Sequence, residues 1–296
     1  MSRLSWLITG AGGMLGRDLA AALAGSGDPV TPAGRADLDV TDPDAVAKAV
    51  AGHDIVLNTA AWTNVDGAES DEDGATAVNG TGAANLAAVC ADSGAVLIQV
   101  STDYVFHGRD GAPYREDAPT DPVNAYGRSK LVGERAALAA GQYVVRTAWL
   151  YGEHGPNFVA TILRLAAQRD TLTVVNDQRG QPTWSAALAG RLVELGRAAR
   201  AGQAPAGVYH GTANGETTWY GLAREAFRLA GLDPDRITPT TTDKFPRPAP
   251  RPAYSVLGHD RWADTGLPVL PDWPAQLAEA MSRPVFTALA AAARSH

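Results

Sequence analysis

Cysteine, lysine and histidine are scarce in this 296-residue chain, and a long apolar run is missing altogether. The single cysteine, Cys90, excludes an internal disulfide. Inside the apolar helical pattern AANLAAVCADSG it reads as a small buried side chain, not a reactive thiol. Surplus positive charge is also lacking: 25 Lys and Arg face 32 Asp and Glu, a formal net charge of −7. That excludes a sequence-independent nucleic-acid binder, which needs excess cations to neutralise phosphates; a local anion site stays open. No stretch reaches the ~18 apolar residues of a membrane span. The start, MSRLSWLITGAGGMLG, runs from a short apolar segment straight into glycines. It has no basic start, long apolar stretch or cleavage site of a signal peptide, so a cytoplasmic protein is expected. The six histidines form no H-x-H or H-E-x-x-H pattern, and no metal is expected.

What is present is alternation. LSWLITG reads as a strand, GRDLAAALAGSG as a helix, DPVTPA as a short strand, and DPDAVAKAVAG as a helix with Asp42 as N-cap and Gly52 near its end. DIVLNTA (strand), TGAANLAAVCADSG (helix), AVLIQVST (strand), AYGRSKLVGERAALAAG (helix) and YVVRTAWLYG (strand) continue the rhythm. Repeated strand and helix predict an α/β fold, a doubly wound parallel sheet with helices on both faces. Ligands in such sheets bind beyond the C-terminal strand ends. Residues 1–150 are therefore expected to form a dinucleotide-binding Rossmann-type domain. Residues 151–296 are expected mainly to form a smaller α+β substrate domain, the chain returning to the first around 170–200. NFVATILRLAAQR, WSAALAGRLVELGRAARAG and WYGLAREAFRLAG read as its helices. FPRPAPRPAYSVL, with four prolines in thirteen residues, reads as an extended loop. No 20–50-residue repeat is present.

LITGAGGMLGRDLA places Gly10, Gly13 and Gly16 at three-residue spacing between the first strand and first helix. Glycine there permits positive φ and a close approach of backbone N–H groups to a pyrophosphate, and the helix N-terminus adds partial positive charge. An acid at the end of strand two would bind ribose hydroxyls and repel a 2′-phosphate. None stands at Pro32 to Gly34, and Arg35 follows. A guanidinium there fits the 2′-phosphate of NADPH, so NADPH is expected with NADH as the alternative; a plain surface arginine is the other reading of Arg35. Further along, Tyr126 and Lys130 in NAYGRSK share a helix face at i, i+4. A nearby ammonium favours phenolate and makes tyrosine a better acid, which suits protonation of the alkoxide formed when hydride reaches a ketone. Thr102, ending the strand before STDYVF, offers a second hydroxyl to the same carbonyl; its other reading is a turn hydroxyl bonding its own backbone.

The G-x-x-G-x-x-G turn, STDYVF after a strand and the Y-x-x-x-K helix follow one another as in extended short-chain dehydrogenases/reductases. NTAAWTNVDGAESD, NAYGRSKLVGE, VVRTAWLYG, VVNDQRGQPTW and RPAYSVL narrow the resemblance to the dTDP-4-dehydrorhamnose reductase family, over most of the chain. The resemblance implies that Tyr126 is the proton donor, Lys130 its pKa-lowering partner and a ligand of the nicotinamide ribose, and Thr102 the tuner of the reacting carbonyl. It assigns Gly13, Met14 and Leu15 to the pyrophosphate turn and Asp39 and Val40 to adenine. Ala61, Trp62 and Thr63 fall to the nicotinamide half, and Thr102, Asp103 and Trp149 to the sugar nucleotide. Two departures stand near the substrate side: His107 replaces the acid of STDYVFDG, and Tyr254 replaces the Asn of RPxNS. Some members hold magnesium through glutamates at a dimer interface; Arg17 and Asp18 stand in the region concerned.

The implied activity is NADPH-dependent reduction of the C4 ketone of a dTDP-4-dehydro-6-deoxysugar, by a monomer or homodimer. dTDP-4-dehydro-L-rhamnose is the foremost substrate and a related ketosugar of secondary metabolism the alternative. A sugar-nucleotide dehydratase or epimerase is disfavoured, because dehydratases usually carry Asp-Glu after the Thr and here Asp103 precedes Tyr104. A non-catalytic NADP-binding regulatory subunit is the rival of another class, and such proteins tend to lose the Tyr or Lys. The acidic stretch GAESDEDGA reads as a solvated loop or helix start. Arg247 and Arg251 are candidates for a diphosphate, Arg251 being the one assigned to the substrate.

Overall fold

The computed structural model describes residues 3–295. Six parallel strands form its main sheet: β1 (Trp6–Thr9), β2 (Val30–Ala33), β3 (Ile55–Asn58), β4 (Val96–Thr102), β5 (Tyr143–Thr147) and β10 (Gly207–His210), in the order β10-β5-β4-β3-β1-β2. Successive side chains of a strand face opposite sides, and here both sides are buried. On β1, Trp6 and Ile8 enter one core with Leu15, Leu19 and Leu23, whereas Leu7 enters the other with Val46, Val50 and Leu86. Each side chain taken fully out of water in this way contributes about 1.5–3 kcal/mol. The first core is covered by α1 (Met14–Leu23) and α8 (Ser185–Arg200), the second by α2 (Pro43–Val50), α5 (Ala83–Ser93) and α6 (Ala125–Ala139). This is the doubly wound α/β fold that the strand–helix rhythm predicts. Cys90 lies fully buried in the second core, and burial pushes its thiol up to about 12.

Connections on the second face carry the short helices α3 (Val65–Ala68) and α4 (Glu72–Thr76), and a π-turn over Ala77–Gly82 leads into α5. Asn64 and Asp71 cap α3 and α4 through their side chains. A third core gathers α7 (Phe158–Ala166), α9 (Trp219–Leu229), α10 (Trp273–Met281), α11 (Pro284–Arg294) and the parallel pair β7 (Leu172–Val175) and β12 (Ile237–Thr240). Between Ser185 and His210 the chain re-enters the large sheet through α8 and β10. Short strand pairs bridge the rest: β6 (Leu150–Tyr151) with β9 (Thr183–Trp184), and β8 (Arg179–Gly180) with β11 (Thr217–Thr218).

Two local features depart from the sequence-based expectation. The strand expected over YVVRTAWLYG breaks into β5 and β6, because Trp149 takes a left-handed backbone with φ 47°, alone among the described non-glycine residues. Helices α10 and α11 were not legible as helices; their prolines, Pro274 and Pro284, sit in the first turn, where a missing N–H costs nothing.

Candidate active site

The glycine turn is built as a cradle. Gly10 adopts φ 68°, and a Cβ there would fall 2.6 Å from Ala60 N. A Cβ on Gly16 would fall 2.5 Å from the Gly10 oxygen, so α1 packs directly on the turn. Gly13 is the N-cap of α1 and no side chain caps it; the first N–H groups of the helix, including those of Met14 and Leu15, stay available to an anion. Gly16→Ala should cost about 1–3 kcal/mol of stability, and it should weaken NADPH binding, by titration, more than it changes kcat at saturation.

The rim beside this cradle carries the other cofactor candidates. Arg35 is exposed one residue beyond Gly34, and the turn it stands in is closed by Asp37 Oδ2 accepting from Gly34 N at 2.9 Å. Asp39 accepts from the hydroxyl and backbone N–H of Thr41, which hold its carboxyl below the usual carboxylate range, with a smaller contribution from Arg35. Val40 is buried, and Asn85 holds its carbonyl at 3.1 Å. Beyond β3, the segment Ala61, Trp62, Thr63 is fixed by Asn79: Oδ1 accepts from Trp62 N at 2.9 Å and Nδ2 donates to Trp62 O at 3.1 Å. Asn79 Nδ2 also donates to Ser129 Oγ at 2.9 Å, and Ser129 Oγ donates to Tyr126 O at 2.8 Å. One buried amide thus couples the segment Ala61, Trp62, Thr63 to the helix of Tyr126. Sequence reasoning missed Asn79; its only signal was a polar residue within an apolar helical pattern.

The NAYGRSK stretch becomes the first turns of α6. Asn124 caps the helix by accepting from Gly127 N at 2.8 Å, and its Nδ2 donates to Pro250 O of the proline-rich loop at 2.9 Å. Glu69 accepts from Ala125 N at 2.7 Å, a carboxylate at a helix N-terminus. Gly127 is required: a Cβ there would fall 2.2 Å from Tyr104 O. The helix therefore lies against the turn that follows β4, and Tyr126 meets Tyr104 edge to face, ring centroids 5.9 Å apart.

Thr102, Asp103 and Tyr126 converge at the end of β4. Thr102 Oγ1 donates to Asp103 Oδ1 at 3.0 Å and accepts from Tyr104 N at 3.2 Å, so the turn-hydroxyl reading of Thr102 also holds. Asp103 is buried, and burial raises its carboxyl to about 6 against hydrogen bonds from Ser255 and Thr102 that lower it. Burial, then the Asp103 charge, push the Tyr126 phenol up to about 12, against a hydrogen bond with Thr102 that lowers it. Lys130 is buried and donates from Nζ to Val100 O at 2.6 Å. Burial brings its ammonium down to about 8, against the upward pull of Glu134. In the chain alone the charge that the phenol feels most is therefore Asp103.

Arg251 reaches Asp66 Oδ1 at 2.8 Å and Ala249 O at 2.7 Å, and its charge also acts on the buried Tyr104 phenol. Arg247 stands 3.8 Å from Asp66. The acidic stretch does start a helix, α4, which Asp71 caps, and it reaches beyond itself: Glu69 caps α6 and Glu72 takes a bidentate pair with Arg128 at 2.8 and 2.7 Å. Trp149 is half-buried and lies two residues beyond Thr147, the register partner of Thr102. His107 Nδ1 accepts from Arg109 N at 2.9 Å and so closes the turn that follows STDYVF. Tyr254 donates to Glu216 Oε2 at 3.0 Å, and Arg179 reaches the other oxygen at 2.6 Å.

The parallel sheet, the uncapped glycine turn and the Thr102–Tyr126–Lys130 cluster define a dinucleotide-dependent protein of the extended short-chain dehydrogenase/reductase class. Residues 4–285 match the family described as RmlD substrate binding domain. The chain is 56% identical over 282 residues to a Streptomyces griseus protein called dTDP-4-dehydrorhamnose reductase, covering 94% of this chain and 93% of that one. It is 49% identical over 280 residues to a Streptomyces niveus protein called dTDP-4-keto-6-deoxy-D-glucose reductase, covering 93% and 96%. A solved Bacillus anthracis dTDP-4-dehydrorhamnose reductase in complex with NADP superposes with a TM-score of 0.89 at 34% identity, over 95% of this chain and 99% of that one. The chain belongs to the dTDP-4-dehydrorhamnose reductase family.

Proposed function

We propose that this chain reduces the C4 ketone of a dTDP-4-dehydro-6-deoxysugar with NADPH, dTDP-4-dehydro-L-rhamnose being the foremost substrate. The observation that carries the reading is the convergence of the Tyr126 phenol and the Thr102 hydroxyl at the end of β4, next to a glycine turn that leaves the N-terminus of α1 uncapped. The donor set suits NADPH: the α1 N–H groups face a pyrophosphate and exposed Arg35 suits a 2′-phosphate. The nicotinamide, when bound, supplies the hydride. The chain's own residues handle the oxygen. Thr102 Oγ1 hydrogen-bonds the carbonyl oxygen, Tyr126 passes its phenolic proton to that oxygen as the C–O bond becomes an alcohol, and the Lys130 ammonium offsets the negative charge left on the phenol. Asp103, Trp149 and Arg251 are the substrate-side groups in this reading, and the protein works in the cytoplasm as a monomer or homodimer. The named relatives of Streptomyces griseus and Streptomyces niveus support the substrate class.

A second substrate is favoured by one feature. Tyr254 and its pair with Glu216 replace the Asn of the family loop, which suits a related dTDP-4-ketosugar of secondary metabolism. Mixing protein, NADPH and each dTDP-4-keto-6-deoxysugar should consume one equivalent of reduced nicotinamide per sugar, followed by its absorbance. The preferred sugar is the one with the highest kcat/KM. Absence of NADPH consumption with every such ketone would overturn the reductase reading.

A further inference from the structure

Trp149 does not stand alone. Its indole stacks on that of Trp219, the first residue of α9, with ring centroids 3.6 Å apart and planes 9° from parallel. Trp219 is itself held on three sides. Its Nε1 donates to Gln178 Oε1 at 3.1 Å, Phe158 packs against it at 4.7 Å, and Thr218 caps the helix it begins by accepting from Gly221 N at 3.0 Å. Gly180, two residues beyond Gln178, completes the fit: a Cβ there would fall 2.5 Å from Trp149 Cε2 and 2.8 Å from Nε1. Trp149 also carries the left-handed backbone conformation, which is strained for a bulky residue and persists only where the surroundings over-determine it. Trp219 and Gly180 are those surroundings. Both tryptophans remain half-buried, and Trp149 lies two residues past the strand position paired with Thr102.

We propose that Trp219 is a positioning residue: by stacking on Trp149 it fixes that indole against the apolar C–H surface and methyl group of the deoxysugar, and so sets how tightly the sugar nucleotide is held. The inference rests on the substrate role proposed for Trp149. Trp219 itself touches no reacting atom. Its removal acts on sugar-nucleotide binding and leaves the cofactor cradle, which lies on β1 and α1, unaltered.

The test combines steady-state kinetics with circular dichroism on Trp219→Ala, Trp219→Phe and Trp149→Phe. The packed indole pair contributes to the near-ultraviolet circular dichroism, a signal that each of the three substitutions should change and that sugar-nucleotide binding should alter in the unaltered protein. Trp219→Ala should raise KM for the ketosugar roughly tenfold with KM for NADPH unchanged. Trp219→Phe keeps the packing on Phe158 and should recover much of that loss. If Trp149→Phe raises the sugar KM but neither Trp219 variant does, the positioning role is wrong and Trp149 keeps its substrate role. If no variant moves the sugar KM while the ketone is still reduced, Trp149 and Trp219 both lose their roles and the reductase reading stands. Failure of the unaltered protein to reduce any ketone overturns the proposed function instead.

Discussion

Tyr126→Phe should lower kcat roughly 10²–10⁴-fold, the usual contribution of a positioned general acid, while NADPH still binds by fluorescence titration. The phenol sits where burial and Asp103 raise it to about 12, so it is fully protonated at neutral pH, the state a proton donor needs. Phe keeps the edge-to-face contact with Tyr104 and removes only the proton. Thr102 then remains as the sole hydroxyl of the pair, able to hydrogen-bond the carbonyl oxygen but held by Asp103 and Tyr104 N. In the proposed reaction the proton leaves a phenolate behind, and the ammonium of Lys130, one helical turn away, is the group proposed to offset its charge. An unchanged kcat in Tyr126→Phe would remove the phenol from the mechanism.

Much of this arrangement was legible in the sequence because it rests on local rules. Glycines at 10, 13 and 16 can be read as a turn because their spacing and their place between strand and helix are both visible. The four-residue spacing of Tyr126 and Lys130 is enough by itself to put both on one helix face. The sequence was silent where residues distant in the chain meet. Glu69 capping α6, Asn79 bridging Trp62 to Ser129 and Trp219 stacking on Trp149 span 17 to 70 positions, and no periodicity encodes them. The acidic stretch is the helix start that was one of its two readings, since Asp71 caps α4 within it. Composition did not show that Glu69 and Glu72 also hold partners far away in the chain. His107 was legible only as a departure from the family pattern; the turn it closes by accepting from Arg109 N was not.

The helix that carries Tyr126 is tied to the sheet by a buried ion pair, and breaking it should give the largest loss of stability among these changes. Arg146 on β5 forms a fork with Glu134 of α6: Nε to Oε1 at 3.0 Å and Nη2 to Oε2 at 2.8 Å, with side-chain exposures of 4% and 1%. The guanidinium also donates to Glu116 O at 3.3 Å and lies 4.9 Å from the centre of the Phe106 ring, so it joins α6 to the turn after STDYVF. Arg146→Met strands the Glu134 carboxylate in a dry interior, and loss of one partner of a buried pair costs about 3–5 kcal/mol. Glu134→Leu strands the guanidinium in the same way. The double substitution removes both charges at once and should cost less than the sum of the singles, because the desolvation of each ion disappears with its partner. Urea denaturation of the four proteins gives the coupling directly. Glu134 also lies one turn beyond Lys130 and pulls its ammonium upward, so a folded double variant should lose kcat as well, though far less than Tyr126→Phe. Additive destabilisation would mean that the two side chains do not support one another, and that α6 is held by its packing and its other hydrogen bonds.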